Sequence, residues 1–287
     1  MNDAQGHARP GRTSERSILA YDVSGAHQRY DDLVTEEPLE LRLRAGLTRT
    51  TLAVTMRTPG NDFELAAGFV FNESIIHEYH DIAAIGYCLD DELTPDQQYN
   101  VVNIDLRATT LPNVDRFERH FTMTSACGVC GRAVLKRLED LGVTPIPADH
   151  MRVNLSTIHG LAHTLRAAQT IFERTGGLHA AALFSPDGKM LAVREDIGRH
   201  NALDKLIGWA LMERRTPLEN TILFVSGRSS YEILQKAAVA RIPVVASVSA
   251  PSSLAVDLAR NYNITLLGFV RDGRANCYWG PERIIPS

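Results

Sequence analysis

The sharpest chemical signal in the chain is Ser125-Ala126-Cys127-Gly128-Val129-Cys130-Gly131, followed directly by a helical pattern. Two thiols three residues apart can meet on one side of a turn. The N–H groups and dipole of a following helix favour thiolate over thiol there. A thiolate with a thiol neighbour can attack a sulfur donor, hold a persulfide, close to a disulfide or share a soft metal. The pair alone leaves four readings open: packed structural cysteines, half of a zinc site, a thioredoxin-like dithiol, and a sulfur-handling nucleophile. Zinc would need two further ligands, and although Cys88, Cys277 and several histidines exist, there is no second Cys-x-x-Cys. The thioredoxin-like motif requires a preceding strand that the pattern lacks. A zinc nucleobase deaminase requires His-x-Glu and a Pro before the first Cys. Here His77-Glu78, His80-Asp81 and Ala126 stand instead, so deaminase chemistry is not expected.

A second signal is geometric. The run from 221 to 269 reads β-α-β-α-β, with near-continuous apolar strands TILFV, PVVASV and ITLLGF. Such strands belong to a parallel sheet covered on both faces, and ligands bind beyond the carboxyl ends of such strands. The three following loops are polar: Ser226-Gly227-Arg228-Ser229-Ser230, Ser249-Ala250-Pro251-Ser252-Ser253 and Val270-Arg271-Asp272-Gly273-Arg274. Free N–H groups, hydroxyls and guanidinium forks on one edge suit phosphate oxygens, which points to a nucleotide-bearing ligand. Ser and Gly also cap helices without binding anything, and Ser229 with Glu232 is spaced as a capping box. A third cluster runs from Glu195 to Lys205. Asp196, Arg199, His200 and Asn201 either line the same cleft or knit a structural network; spacing does not separate the two. His179, after Gly176-Gly177, reads first as a core histidine.

The whole chain sets the frame for these sites. It has 287 residues, 44% hydrophobic and 22% charged, with a net charge of −4. This suits a globular protein and excludes polybasic nucleic-acid binding. No run of about 18 apolar residues exists, and the polar start lacks a secretory h-region, so a soluble, cytoplasmic protein is expected, with no membrane or nucleic-acid partner. Four cysteines do not make a disulfide scaffold.

Residues 1–17 are polar and aperiodic and read as a disordered tail. Residues 18–110 read as a β-rich N-terminal subdomain. In it LELRLRA and TTLAVTM alternate as a hairpin, Asn61 and Glu64 are spaced as a capping box before a helix, and YNVVNIDLR forms a strand. Residues 111–287 read as an α/β domain carrying the cysteine loop. Its helices are placed near 131–142, 156–176, 201–214, 230–240 and 252–260, with a hairpin turn at Ser185-Pro186-Asp187-Gly188. The fold class is therefore α/β, with a central mixed, largely parallel sheet and a smaller N-terminal β-rich subdomain.

Together, SACGVCG, GGLHAAALF, EDIGRHNALDKLIG, SGRSSYEILQKAAVARIPVVASVSAPSSLAVDLA and ITLLGFVRDGRANCY closely resemble the FdhD family of formate dehydrogenase accessory sulfurtransferases. TPGNDFELAAGFVFNESII resembles that family's first helix, so the likeness spans about residues 36 to 280. It implies a cytidine-deaminase-like layered domain without the zinc site. It implies a carrier that takes persulfide sulfur from a cysteine desulfurase and passes it to the molybdenum cofactor, as bis(molybdopterin guanine dinucleotide), for formate dehydrogenase. Position by position, Cys127 would carry the persulfide beside Cys130, and Phe269, Val270, Arg271, Asp272, Gly273 and Arg274 would bind the cofactor. Ser226, Gly227, Arg228, Ser229, Ser249 and Ser252 join them from the strand-end argument. The cofactor is then cargo, with no group permanently bound and no metal site, and a homodimer is expected. A cofactor-binding chaperone without sulfur chemistry and a zinc-stabilised module are the alternatives.

Overall fold

The computed structural model describes residues 10–90, 94–112, 138–147 and 151–286, so Cys127 and Cys130 lie outside the described residues. Alternating apolar and polar residues build the N-terminal half, beginning earlier than the composition suggests. β1 (Thr13–Asp22) pairs antiparallel with β2 (Gly25–Val34) along its whole length, so residues 13–17 belong to a strand rather than to the expected 1–17 tail, of which residues 1–9 lie outside the described residues. The hairpin escapes periodicity arguments because its outer face is not buried: Tyr21 is 78% and Tyr30 71% exposed. Backbone ladder bonds hold it, with an Arg174–Asp32 ion pair at 2.7 Å tying it to the body.

β3 (Glu37–Ala45) and β4 (Thr48–Arg57) form the expected hairpin, with Leu39, Leu41 and Leu43 fully buried. α1 (Asp62–Asn72) follows, but without the expected capping box. Asn61 adopts φ 58° and accepts a hydrogen bond from Arg12 at 2.5 Å, while Glu64 is drawn across to Arg194 at 2.5 Å. β5 (Ile82–Tyr87) and β6 (Val101–Leu106) complete a sheet ordered β4-β3-β6-β5. β5 is an edge strand with exposed Ala83 and Ala84, so its sequence lacks the alternation that reveals β6.

The second half starts with β7 (Val153–Asn154), α2 (Leu155–Ala168) and α3 (Thr170–Thr175). The single helix expected over 156–176 is broken at Gln169, and Asn154 rather than Ser156 stands at the N-cap. β8 (His179–Phe184) and β9 (Met190–Asp196) form the expected hairpin. Then come α4 (Arg199–Met212), β10 (Ile222–Val225), α5 (Tyr231–Val239), β11 (Val244–Ser247), α6 (Ser253–Asn261), β12 (Thr265–Arg271) and β13 (Arg274–Trp279). β14 (Ile284–Ile285) pairs with β7.

These strands make a six-stranded sheet in the order β13-β12-β11-β10-β8-β9. It is mixed, as expected, but not largely parallel: only β10–β11 and β11–β12 are parallel pairs. The tight turns at Ser185–Gly188 and Asp272-Gly273 return the chain as hairpins, which forces antiparallel neighbours on both flanks. Alternate residues face two different cores. Ala181, Leu183, Leu223, Val225 and Val245 meet α4, α5 and α6 in a cluster that continues through α1 into the N-terminal sheet. Ala180, Ala182, Phe184, Phe224 and Ala246 meet Ile158, Leu161 and Leu165 of α2. Helices therefore cover both faces, which explains the apolar runs. Among the described residues no helix is long and apolar enough to cross a membrane.

Candidate functional site

Strand direction gathers the site. β10, β11 and β12 run parallel, so their carboxyl ends share one rim. β8 runs antiparallel to β10, which brings His179 to the same rim, and β9 brings Asp196 beside it through the His179–Asp196 pairing. The N-termini of α4, α5 and α6 open there too, so the rim is electropositive before any side chain is counted.

The sequence-predicted residues divide between exposed positions and structural ones. Ser226 clips β10 to β8: its N–H donates to Ala180 O and its Oγ accepts from Ala180 N–H, both at 2.9 Å. Ser229 is fully buried, bridges to Pro251 and accepts Ser252 N–H at its carbonyl, at 3.1 Å. It does not cap α5; Ser230 holds the N-cap position, so the Ser229–Glu232 capping box is not formed. Ser252 caps α6, accepting Ala255 N–H at 3.2 Å. Ser249 is tied into the sheet end, its carbonyl accepting from Phe269 N–H at 3.2 Å and Ser247 Oγ–H at 2.8 Å. Arg228, Arg271, Asp272, Gly273 and Arg274 are exposed, whereas Val270 is buried in the core under α2. Phe269 sits in a β-bulge with φ 52°. For a bulky residue that left-handed conformation costs ~1–3 kcal/mol and persists where the surroundings over-determine it, as the Ser249 bond does here.

A cleft of about 660 Å³ separates this rim from α2 and α3. Ser226, Val270, Arg271 and Asp272 line one side, with His179 between them and the far wall. That wall was not anticipated. It comprises His163, Arg166 and Gln169 of the α2 segment, Phe172 of α3, and Gly176-Gly177. Arg166 lies over the Phe172 ring at 4.3 Å, a flat cation–aromatic platform facing a basic rim. The available signal was the one-turn spacing of His163 and Arg166 on an amphipathic helix. His159 and His163 are also spaced i, i+4, a two-histidine half-site that the sequence reading passed over. Among the described residues no third His, Cys, Asp or Glu joins them as a metal-sized group. A volume of this size and mixed lining suits a nucleotide.

The third cluster splits. Asp196 is fully buried and its carboxylate accepts from Lys205 Nζ at 2.6 Å, Gly198 N–H at 2.8 Å, Thr58 N–H at 3.1 Å and Asn201 Nδ2 at 3.2 Å. Lys205 also donates to Thr58 O at 2.8 Å, and Asn201 to Met56 O at 2.8 Å. These residues are a bolt between the rim and the turn before α1. Burial pulls the Lys205 ammonium pKa down and the Asp196 carboxylate holds it up. Removing one partner of such a pair strands the other charge. Lys205→Met is therefore expected to cost ~3–5 kcal/mol in urea unfolding, and Lys205→Met with Asp196→Asn to recover much of it. An unchanged midpoint for the single variant would show the bolt to be inert.

Arg199 and His200 stay at the rim. His200 Nε2 lies 3.4 Å from Ser230 Oγ and 3.7 Å from Glu232 Oε2. Burial first, then Arg199 and Lys236, push its pKa down to about 4, so it is neutral at pH 7. His179 is likewise lowered, by burial and then by Arg199 and Arg228.

Residues 34–285 match the model of the FdhD/NarQ family. A sulfur carrier protein FdhD of Mycolicibacterium paratuberculosis is 47% identical over 95% of this chain and 98% of its own length. One from Streptomyces coelicolor is 47% identical over 96% of each chain. The fold is shared with the crystal structure of a candidate formate dehydrogenase accessory protein from Desulfotalea psychrophila. That likeness has a TM-score of 0.73 at 21% identity and covers 96% of this chain and all of the other. With the match running unbroken from the last residue of β2 to the last of β14, the chain belongs to the FdhD/NarQ family.

Proposed function

We propose that this protein is a sulfur carrier serving formate dehydrogenase. It takes sulfur from a cysteine desulfurase on Cys127 and passes it to the molybdenum cofactor in its bis(molybdopterin guanine dinucleotide) form. The observation that carries the reading is 47% identity, over nearly the full length, to proteins named as sulfur carriers. The Cys127-Gly128-Val129-Cys130 pair supplies the chemistry. On the same resemblance, and with helices on both faces of a mixed sheet, we read the α/β half as a cytidine-deaminase-like layered domain and the working unit as a homodimer.

The Cys127 thiolate attacks the outer sulfur of the desulfurase persulfide. A new S–S bond forms, the old one breaks, and the desulfurase cysteine leaves as thiolate. In the transfer step Cys130 thiolate attacks the inner sulfur of the Cys127 persulfide and releases hydrosulfide to molybdenum. The resulting Cys127–Cys130 disulfide is reset by a thiol reductant; in a monothiol route an external thiol attacks the inner sulfur of the Cys127 persulfide instead, releases hydrosulfide and leaves a mixed disulfide that a second thiol reduces. The cargo's nucleotide enters the cleft at His179, Ser226, Arg271 and Asp272, where the guanidinium meets phosphate and the Arg166–Phe172 platform meets a base.

The test is mass spectrometry of the protein after incubation with a desulfurase and cysteine. A gain of one sulfur on the Cys127 peptide, removed by cyanide, is the expected result. Cofactor binding without transferable sulfur would instead identify a chaperone, and stoichiometric zinc without sulfur a metal-stabilised module.

A further inference from the structure

We propose that β1 is the seam of the homodimer: the β1 strands of two copies of this chain pair antiparallel, Leu19 facing the partner's Leu19 on the two-fold axis, and join two hairpins into one four-stranded sheet. The proposal rests on the homodimer read above and gives that dimer a surface and a register. The hairpin lies almost wholly ahead of the stretch matched by the family model, which begins at the last residue of β2. Two strands alone are marginal in water; three or more with an apolar face are needed for stability. Yet β1 and β2 pair over ten residues, and the contacts that tie them to the body sit at their root. Arg174 holds Asp32 at 2.7 Å, Val34 stands beside Gly177, and Thr35 N–H donates to Arg12 O at 3.0 Å.

These contacts leave β1 as the outer strand, and among the described residues it pairs with β2 alone. Its second edge runs ten residues without a proline or lysine to blunt it, the kind of edge that recruits another strand. One face is apolar as well: Leu19 and Tyr21 of β1 share it with Tyr30 of β2 by alternation, and Leu19 is 55% exposed. A sulfur donor or acceptor visits and leaves, whereas this edge calls for cover as long as the chain is folded. A second copy is the partner present under that condition.

Antiparallel pairing of a strand with itself is two-fold symmetric, so its register reduces to the residue on the axis. The charges select Leu19. That axis sets Arg16 opposite the partner's Asp22 at both ends, Ile18 opposite the partner's Ala20, and Ser17 opposite the partner's Tyr21. Moving the axis to Ile18 or to Ala20 sets Arg16 against the partner's Ala20 or beyond the end of its strand. Among the described residues Arg16 hydrogen-bonds only to Glu15 O, at 3.0 Å. Asp22 holds the turn through Oδ1, which accepts Ser24 N–H at 2.7 Å, and its Oδ2 lies 3.6 Å from His27 Nδ1. In the joined sheet each Tyr21 lies beside the partner's Ser17 and, one strand further, the partner's Tyr30. The two apolar strips thus become one continuous row, the side-chain pairing that stabilises sheets.

The experiment is sedimentation velocity of the full chain over a wide concentration range, with a dimer expected for the wild type. Leu19→Lys sets two like charges face to face on the axis and is expected to weaken the dimer by about a hundredfold. Leu47→Lys, at the exposed turn between β3 and β4, is the control and leaves it unchanged. Arg16→Asp is expected to weaken the dimer by about tenfold, because it faces the partner's Asp22 with a like charge. Adding Asp22→Arg to that variant is expected to recover most of the loss, a restoration specific to this register. Hydrogen exchange gives the position: the β1 amides slow as wild-type concentration rises and do not slow in Leu19→Lys. A monomeric wild type overturns the dimer and the seam together. A dimer indifferent to Leu19→Lys and Arg16→Asp overturns the seam alone. Should Leu19→Lys unfold the hairpin, the exposed Arg16 decides. Sulfur loading of Cys127 is measured on the same samples, so loss of the carrier reading registers separately.

Discussion

A Cys127→Ala chain is expected to abolish sulfur-dependent activation of formate dehydrogenase while retaining its fold and its affinity for GDP. The reason lies in the orbital being removed. A thiolate has a polarisable lone pair able to open an S–S bond, and a methyl group has none, so no residual pathway through this position survives. Cys130→Ala is expected to be milder. It removes the internal attack that expels hydrosulfide but leaves Cys127 able to accept sulfur and to release it to an external thiol reductant. The measurement is formate dehydrogenase activity in cells carrying each variant, alongside sulfur bound to the purified protein. Full activation by Cys127→Ala would end the carrier assignment. Loss of GDP affinity in the same variant would point to misfolding rather than to lost chemistry.

Gly208→Ala is expected to destabilise the protein by about 2–4 kcal/mol, its added Cβ meeting the closest obstacle of any described glycine. α1 and α4 cross with their backbones in contact. A Cβ on Gly208 would stand 1.8 Å from Glu64 O, and one on Gly68 1.9 Å from Asp204 O. Both obstacles are main-chain carbonyls inside helices, so no rotamer change relieves them and the helices must part. The gain in helix propensity on replacing Gly, about 1 kcal/mol, offsets only part of that cost. Parting also opens the polar contacts at this crossing. Asn72 Nδ2 donates to Asp204 Oδ1 at 2.6 Å, and Lys236 pairs with the same carboxylate at 2.5 Å. Burial pushes the Asp204 carboxyl up, and Lys236 with Asn72 pulls it back, so losing Asn72 leaves a desolvated acid held by Lys236 of α5 alone. Urea unfolding measures the effect. A shift below about 1 kcal/mol would mean that the helices tolerate separation, and combining Gly68→Ala should be less than additive because both act on one contact.

Much of the architecture was legible because burial writes itself into hydrophobic periodicity. Leu39, Leu41 and Leu43 alternate along β3, and the apolar run of β10 reports a sheet covered by α2 on one side and α4 to α6 on the other. Where burial is absent the signal vanishes. β1 and β2 are a backbone ladder with exposed faces, and β5 is an edge strand, so neither announced itself. Capping motifs misled for a related reason. Asn61 and Glu64 have the right spacing, but Arg12 and Arg194 offer charged partners that outcompete the helix end, and both come from distant sequence.

The site was legible in part. The order and direction of β10 to β12 follow from the β-α-β pattern, and that alone placed 226–230, 249–253 and 270–274 on one rim. It could not tell which serines are structural. Ser252 turned out to cap α6 and Ser226 to clip two strands, because each hydroxyl takes the nearest backbone partner that the folded chain presents. Nor could it tell that Asp196 and Lys205 bolt the rim to the turn before α1 while Arg199 and His200 remain beside them. Arg199 and His200 stand within two helical turns of Lys205, and which side of the helix meets Thr58 depends on how α4 packs against the N-terminal half. The far wall of the cleft rests on the same kind of fact. His163, Arg166 and Phe172 lie on an unremarkable amphipathic stretch and gain meaning only when the second core draws α2 against the sheet. Residue types and local spacing thus singled out the Cys127–Cys130 pair and the strand rim, and the resemblance of whole motifs pointed to the family. The bonding of Asp196 and Lys205 to the Thr58 backbone, across sequence separations of more than a hundred residues, is a matter of three-dimensional packing, and only the folded chain decides it.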